Sequence, residues 1–334
     1  MVRVLAADDV AELLDLEALV DVTQNALVDQ SRGRVERPDR PHYPVGIGLA
    51  ADGSGASTNS PSAEPLGTGL AMPAYVHGSP YSATKLATVH EGNTDLPTVH
   101  AQIVLASAET GRPVAFLEGT TITNARTGCI GAVSVRALAD GPITLGVFGA
   151  GTQARWQTRA IGAAVDVESV RVYSPSDSKR ACAADLRERG FDARATDTPE
   201  ETADADVVVT ATTSREPVFP ADALADDAIV VAVGAYTDEM CELDPRVLDR
   251  AGRIYADVPE EVAEIGEVVA SERGVDELIP LGALLDDDRP NDGPIADGPA
   301  VVESVGSAVL DAAAAESIYG RALDGDVGTD VAFE

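Results

Sequence analysis

The stretch ITLGVFGAGTQARW, residues 143–156, decides the fold. Its first six residues, Ile143–Phe148, read as a strand, and Thr152–Ala164 reads as a helix. Between them stands Gly149-Ala-Gly151-Thr152-Gln153-Ala154. A GxGxxA pattern between a strand and a helix is the phosphate-binding turn of a dinucleotide fold. Gly149 permits the tight turn, Gly151 lets a pyrophosphate approach the backbone, and Ala154 lets helix and strand pack closely. Unpaired N–H groups and aligned peptide dipoles at the helix N-terminus favour an anion there.

Downstream, strand and helix patterns alternate. Ser169–Tyr173 reads as a strand and Ser178–Arg189 as a helix. Val207–Thr212 and Ile229–Val233 are nearly unbroken apolar runs, as in strands buried on both faces of a parallel sheet. Ile254–Asp257 supplies another strand. The alternation predicts the α/β class, with a Rossmann-type doubly wound dinucleotide-binding domain. At the tip of the second strand, an acid would bind the ribose 2′-hydroxyl of NAD, and basic residues would take the 2′-phosphate of NADP. No acid stands at that tip; Ser174, Ser176, Lys179 and Arg180 follow it. These residues favour NADP(H), and Asp177 leaves NAD(H) open. Thr210, Thr212 and Gly234 stand at strand ends, where ligands bind in such sheets. They are candidates to line the nicotinamide half of the site, with ordinary turns as the alternative.

Upstream, residues 8–30 read as one helix, from the apolar stripe Val10, Leu13, Leu14, Leu16, Leu19, Val20 and Leu27. Residues 32–44 read as an Arg- and Pro-rich loop, and residues 50–67 as a flexible Gly/Ser/Pro-rich excursion. Strands are expected at Leu70–Tyr75, Ala83–Val89, Val99–Ala106 and Pro113–Glu118, making this segment α+β. A helix is expected over 123–139, an acidic loop over 286–298 and a final helix over 300–323. The expected division is a dinucleotide domain over 123–305 and a dimerisation and substrate domain from 1–122 with 306–334.

Composition limits the function classes. The chain has 334 residues, enough for one large or two medium domains. With 56 acidic and 24 basic residues its formal net charge is −32. Such a field repels nucleic acid and anionic membrane. The 45% hydrophobic content argues for a folded chain whose acidic surface suits concentrated salt. A halophilic, haloarchaeal-type protein is expected. Lysine occurs only at positions 85 and 179, which singles out Lys85 and Lys179. Cys129, Cys182 and Cys241 are scattered and only four histidines occur, so neither a metal site nor a disulfide framework is expected. No signal segment or membrane span is read, so a cytoplasmic location is expected.

Several stretches run in one order across the chain: PDR (38–40), MPAY (72–75), ATKLA around Lys85, TITNARTG (121–128), GVFGAGTQA (146–154), VVVTATTS (207–214), VAVGAYTDEMCELDP (231–245) and SVGSAVLDAAAAESIY (304–319). In these the chain resembles the ornithine cyclodeaminase/mu-crystallin family, which includes archaeal alanine dehydrogenases and ketimine reductases. The resemblance implies a homodimer, with Arg40, Lys85 and Arg126 gripping the carboxylate of a small amino or imino acid. It also implies that Thr98, Gln153, Ala154 and Ser304 lie near the cofactor. An Arg fork pairs bidentately with carboxylates. Desolvation of Lys85 would ease proton transfer to an imine nitrogen. The family's cyclodeaminases carry an aspartate base shortly after the strand-end glycine, where this chain has Tyr236. That departure favours hydride transfer between imino and amino acid, with Lys85 as proton donor and Tyr236 as a weaker candidate. Ornithine cyclodeaminase, alanine dehydrogenase and a non-catalytic NADPH-binding, crystallin-like protein are the alternatives.

Overall fold

The computed structural model describes residues 1–49, 64–93, 95–288 and 298–332. Most of the Gly/Ser/Pro-rich stretch and of the acidic stretch 286–298 lies outside them. The chain begins with β1 (Val2–Leu5), α1 (Ala7–Leu13) and α2 (Leu16–Ser31), then β2 (Val35–Glu36), β3 (His42–Val45), β4 (Gly67–Val76), β5 (Tyr81–Val89), β6 (Val99–Ser107) and β7 (Pro113–Glu118). It continues through α3 (Gly119–Leu138), β8 (Ile143–Phe148), α4 (Thr152–Ala164), β9 (Val167–Tyr173), α5 (Ser178–Glu188), β10 (Ala193–Ala195), α6 (Pro199–Ala203), β11 (Val207–Thr210) and β12 (Ile229–Ala232). Then come α7 (Pro245–Arg250), β13 (Arg253–Ala256), α8 (Pro259–Val262), α9 (Gly266–Ala270), β14 (Leu278–Pro280), α10 (Leu281–Leu284), β15 (Ala300–Glu303), α11 (Ala308–Gly325) and β16 (Thr329–Val331).

The chain forms two compact units. The first comprises Met1–Leu14, Arg34–Thr123 and Ala308–Glu334. Its sheet runs β16-β1-β7-β6-β5-β4-β2, with β3 also pairing β4. The strands β4 to β7 form an antiparallel meander. Along β5, buried Ala83, Lys85 and Ala87 alternate with more exposed Thr84, Leu86 and Thr88, the period of a strand with one covered face. Helix α11 packs against β4, β5 and β6 and covers that face.

The second unit comprises Asp15–Gly33 and Asn124–Ser307. Its sheet, β10-β9-β8-β11-β12-β15-β13-β14, is parallel throughout. The unbroken apolar runs are β11 and β12, each buried at all four positions. Parallel order with helical crossovers makes this a Rossmann-type doubly wound fold.

Four expectations need correction. The single helix over 8–30 is two helices, because Asp15 accepts a hydrogen bond from the Ala18 N–H and starts α2 afresh. The 32–44 segment is not all loop, since β2 and β3 both pair with β4. Residues 300–303 are not helical. They form β15, a buried strand between β12 and β13, and Gly306, with φ at +81°, separates it from α11. Residues 15–33 group with the second unit rather than the first. There α2 meets α10 so closely that a Cβ on Gly282 would come within 1.9 Å of the Leu27 carbonyl oxygen. Arg32 also pairs with Asp286, its Nε 2.7 Å from the carboxylate.

Candidate active site

The glycine turn is built as the pattern requires. Gly149 has φ at +106°, and a Cβ there would lie 2.4 Å from the Ala211 carbonyl oxygen. The turn thus presses against the exit of β11, leaving no room for a side chain. Gly151 caps α4 with no side-chain hydrogen bond, and a Cβ on it would meet nothing within 4 Å. The protein's own packing does not demand a glycine there; a pyrophosphate against the backbone would. The turn therefore fits a dinucleotide. Ala154 is fully buried, whereas Thr152 is exposed. Gln153 donates from Nε2 to Asn124 Oδ1 at 2.8 Å, and its Oε1 is buried without a hydrogen-bond partner among the described residues. Sequence reasoning missed Arg155, whose Nη1 braces the turn by donating to the carbonyls of Ala150 (2.6 Å) and Gly151 (3.0 Å).

At the end of β9 three hydroxyls cluster: Ser176 and Ser178 lie 2.7 Å apart, and Ser174 is 3.3 and 3.2 Å from them. Lys179 Nζ stands 5.1 Å from the Tyr173 ring centroid and 4.0 Å from Asp197. Arg180, largely exposed, reaches Asp177 at 3.5 Å. At the ends of β11 and β12, Glu242 organises three of the expected positions. It accepts the Thr210 hydroxyl at 2.9 Å, the Thr212 N–H at 2.6 Å and the Gly234 N–H at 2.8 Å. Tyr236 lies beyond the strand, 45% exposed.

Arg126 is buried on α3, and its guanidinium packs on Gly306, where a Cβ would lie 2.8 Å from Nη1. The bend at Gly306 is held by Asp257. Its carboxylate accepts the Ser304 hydroxyl at 2.6 Å, the Val305 N–H at 3.1 Å and the Gly306 N–H at 2.8 Å. Burial raises the pKa of Asp257, and these donors and the Arg126 charge oppose the rise. Ser304 is buried, and its hydroxyl donates to Asp257.

In the first unit Lys85 lies in mid β5, paired across the sheet with Met72 and Ile103. It is 3% exposed, and its Nζ stands 2.6 Å from Asp311 Oδ2 on α11, itself 1% exposed. The ammonium also donates to Thr123 Oγ1 at 3.4 Å. Apolar surroundings alone would favour a neutral amine; the adjacent carboxylate favours the ammonium. Asp311 was not singled out by the sequence; the Lys85 side chain is not only desolvated, as expected, but held against a buried carboxylate. Arg40 is half-buried between β2 and β3. Thr98 is exposed just before β6, its carbonyl accepting the His90 N–H at 2.8 Å.

Among the described residues no group of His, Cys, Asp and Glu could hold a metal ion, and no helix is long and apolar enough to cross a membrane.

Residues 2–326 match the family model described as the ornithine cyclodeaminase/mu-crystallin family. An alanine dehydrogenase of Archaeoglobus fulgidus is 34% identical over 275 residues, 79% of this chain and 83% of that protein. The solved structure of the Thermococcus litoralis Δ1-pyrroline-2-carboxylate reductase, in complex with NADH and L-proline, superimposes with a TM-score of 0.87 at 25% identity, covering 98% of this chain and 100% of that one. An archaeal alanine dehydrogenase dimer with bound NAD also gives 0.87, at 27% identity, covering 100% and 99% of the two chains.

Proposed function

The chain belongs to the ornithine cyclodeaminase/mu-crystallin family, and on that premise we propose that it is an oxidoreductase interconverting a small imino acid and its amino acid with a nicotinamide dinucleotide. The observation that carries this reading is a glycine turn shaped for a pyrophosphate in a chain that also buries two cations, Lys85 and Arg126. The backbone of Gly149–Gln153 holds the pyrophosphate at the N-terminus of α4. Thr210, Thr212 and Gly234 line the nicotinamide end. When bound, the reduced dinucleotide supplies the hydride. Lys85, Arg126 and Arg40 bind and orient the substrate carboxylate, fixing the imine carbon for transfer. Lys85 Nζ gives a proton to the imine nitrogen, and Asp311 stabilises the ammonium before the transfer. Thr98, Gln153 and Ser304 complete the surroundings of the cofactor; Ser304 acts through Asp257.

Tyr236, where the family's cyclodeaminases place an aspartate, disfavours deamination, because a half-exposed phenol does not replace a carboxylate base. Alanine dehydrogenase activity is the second reading, favoured by the Archaeoglobus relative. For the cofactor, the hydroxyl cluster Ser174–Ser176–Ser178 with Lys179 and Arg180 favours NADPH over NADH. A homodimer is proposed from the archaeal dimer.

The test is a panel in molar salt: pyrroline-2-carboxylate, piperideine-2-carboxylate, pyruvate with ammonium, and ornithine, each with NADH and NADPH or the oxidised forms. Cofactor oxidation with a cyclic imine supports the reductase reading, and oxidation with pyruvate and ammonium the alternative. Ammonia and proline from ornithine without net cofactor change would overturn both.

A further inference from the structure

Around the ends of β11, β12 and β15 lie three buried carboxyls, Glu242, Glu267 and Glu303, each at most 1% exposed. Glu242 follows β12 in the chain, Glu267 is on α9, and Glu303 closes β15. They are contiguous: Glu267 Oε2 accepts the Glu242 N–H at 3.3 Å, and Glu303 feels the charges of both. Asp257 acts on Glu303, and Cys241 lies within reach of all three glutamates; neither is cationic. Arg126 acts on Asp257. Three like charges in so dry a place cannot all be present.

The hydrogen bonds decide which charge remains. Glu242 meets three donors, two of them backbone N–H groups that cannot accept a proton's bond in return. The carboxylate accepts from all three at once, whereas a protonated acid would have to turn the Thr210 hydroxyl into an acceptor and meet an N–H with its weaker hydroxyl oxygen; donors to an anion are roughly twice as strong as neutral ones. Glu303 has no hydrogen-bond partner at either oxygen among the described residues, and Glu267 has none at Oε1. As anions they would be uncompensated. We propose that Glu242 is the one ionised member of the trio and a positioning residue for hydride transfer, fixing the ends of β11 and β12, while Glu267 and Glu303 stay protonated. The positioning role rests on the function proposed above; the charge assignment does not.

Burial and like charges push the Glu303 pKa well above the usual carboxylate range and that of Glu267 up to about 7. Burial raises Glu242 as well, but its donors, Thr212 first, act in the opposite direction. The closeness is also steric. A Cβ on Gly234 would lie 2.6 Å from the Glu242 carboxyl carbon, so this exit of β12 has to be glycine for the clamp to close.

The test uses the full-length protein in molar salt with three isosteric variants, Glu242→Gln, Glu267→Gln and Glu303→Gln. Four quantities are read: melting temperature, reduced-cofactor binding by fluorescence, kcat and KM, and the primary isotope effect with cofactor deuterated at the transferred position. Infrared spectra read the protonated-carboxyl C=O stretch independently of activity. In mildly acidic buffer, below the pKa of Glu267, Glu267→Gln and Glu303→Gln each remove a protonated-carboxyl band and leave kcat and the isotope effect unchanged, because an amide replaces a neutral acid. Glu242→Gln removes no such band. It turns an NH2 towards an N–H donor, lowers kcat by about tenfold or more with KM nearly unchanged, and raises the isotope effect. Thr210→Val removes one donor to Glu242 and gives a smaller change of the same kind if Glu242→Gln fails to fold. Loss of a protonated band in Glu242→Gln, or kcat and an isotope effect held at the wild-type level in both Glu242→Gln and Thr210→Val, would overturn the proposal. Absence of reductase activity in the wild type would instead sink the functional reading, leaving the infrared bands to judge the charge assignment.

Discussion

The two units solve the problem of buried charge in opposite ways. In the first, one cation meets one anion: Lys85 and Asp311 are both nearly inaccessible and lie 2.6 Å apart. In the second, Glu242, Glu267 and Glu303 share a dry region with no cation bonded to any of them among the described residues. A pair keeps both charges at the cost of desolvating both. A cluster of like groups sheds charge by taking up protons. The first arrangement holds both charges of a pair in place; the second, on the assignment proposed above, keeps a single negative charge, which orders backbone donors.

Removing a buried cation should have the largest effect. Lys85→Ala and Arg126→Ala are each expected to abolish turnover, measured as cofactor oxidation, while reduced-cofactor fluorescence still reports binding; wild-type rates in either would show the roles misassigned. Asp311→Ala leaves a buried ammonium without its carboxylate and should cost about 3–5 kcal/mol, read from urea unfolding. Replacing both partners sharpens the contrast. The double variant Lys85→Met with Asp311→Leu should recover most of that stability yet remain inactive, since an apolar pair of similar volume often matches a buried ion pair.

The trio predicts a pH dependence of the opposite kind to an ion pair's. Glu267 holds its proton up to about pH 7 when folded and releases it near 4.5 when unfolded. The folded state therefore binds more protons between these values, and stability falls as pH rises through that window, by an amount on the order of 3 kcal/mol from this group. Asp206 and Asp244, held low by donors from Thr144 and Arg246, act the other way, and their contribution is lost only at more acidic pH. Melting curves should peak on the acid side of neutrality, and Glu267→Gln with Glu303→Gln should flatten the decline towards pH 8. A wild-type optimum above pH 8 would contradict the assignment. The smallest effect should be that of salt on the buried groups. Dilution from molar to millimolar salt should lower the melting temperature through the net charge of −32, equally in wild type and in the double glutamine variant.

The sequence made some of this legible and hid the rest for physical reasons. Ile143–Phe148 and Thr152–Ala164 were readable to the residue, because glycine punctuation separates two different periods. The strand Ala300–Glu303 was not, since its apolar run continues into the helical pattern of α11. Nor was the break before α2, where Leu13, Leu14 and Leu16 preserve the helical stripe across it. Lys85 stood out as one of two lysines, whereas Asp311, Asp257 and Glu242 were lost among 56 acidic residues. What distinguishes them is burial and the donors they meet, which only the tertiary structure supplies.

The first unit is assembled from three separate stretches, the last beginning at Ala308, whereas everything in the second has been specified by Ser307. On a ribosome the second unit can therefore close before the first has all its parts. The cation at residue 85 must wait through more than two hundred further residues for its counter-ion at 311. A chain stopped at Ser307 should keep a folded parallel sheet and leave the antiparallel one without the helix that covers it. The ion pair on β5 is thus completed only near the end of synthesis, so a truncated product would have the dinucleotide fold with its cation at residue 85 lacking the counter-ion.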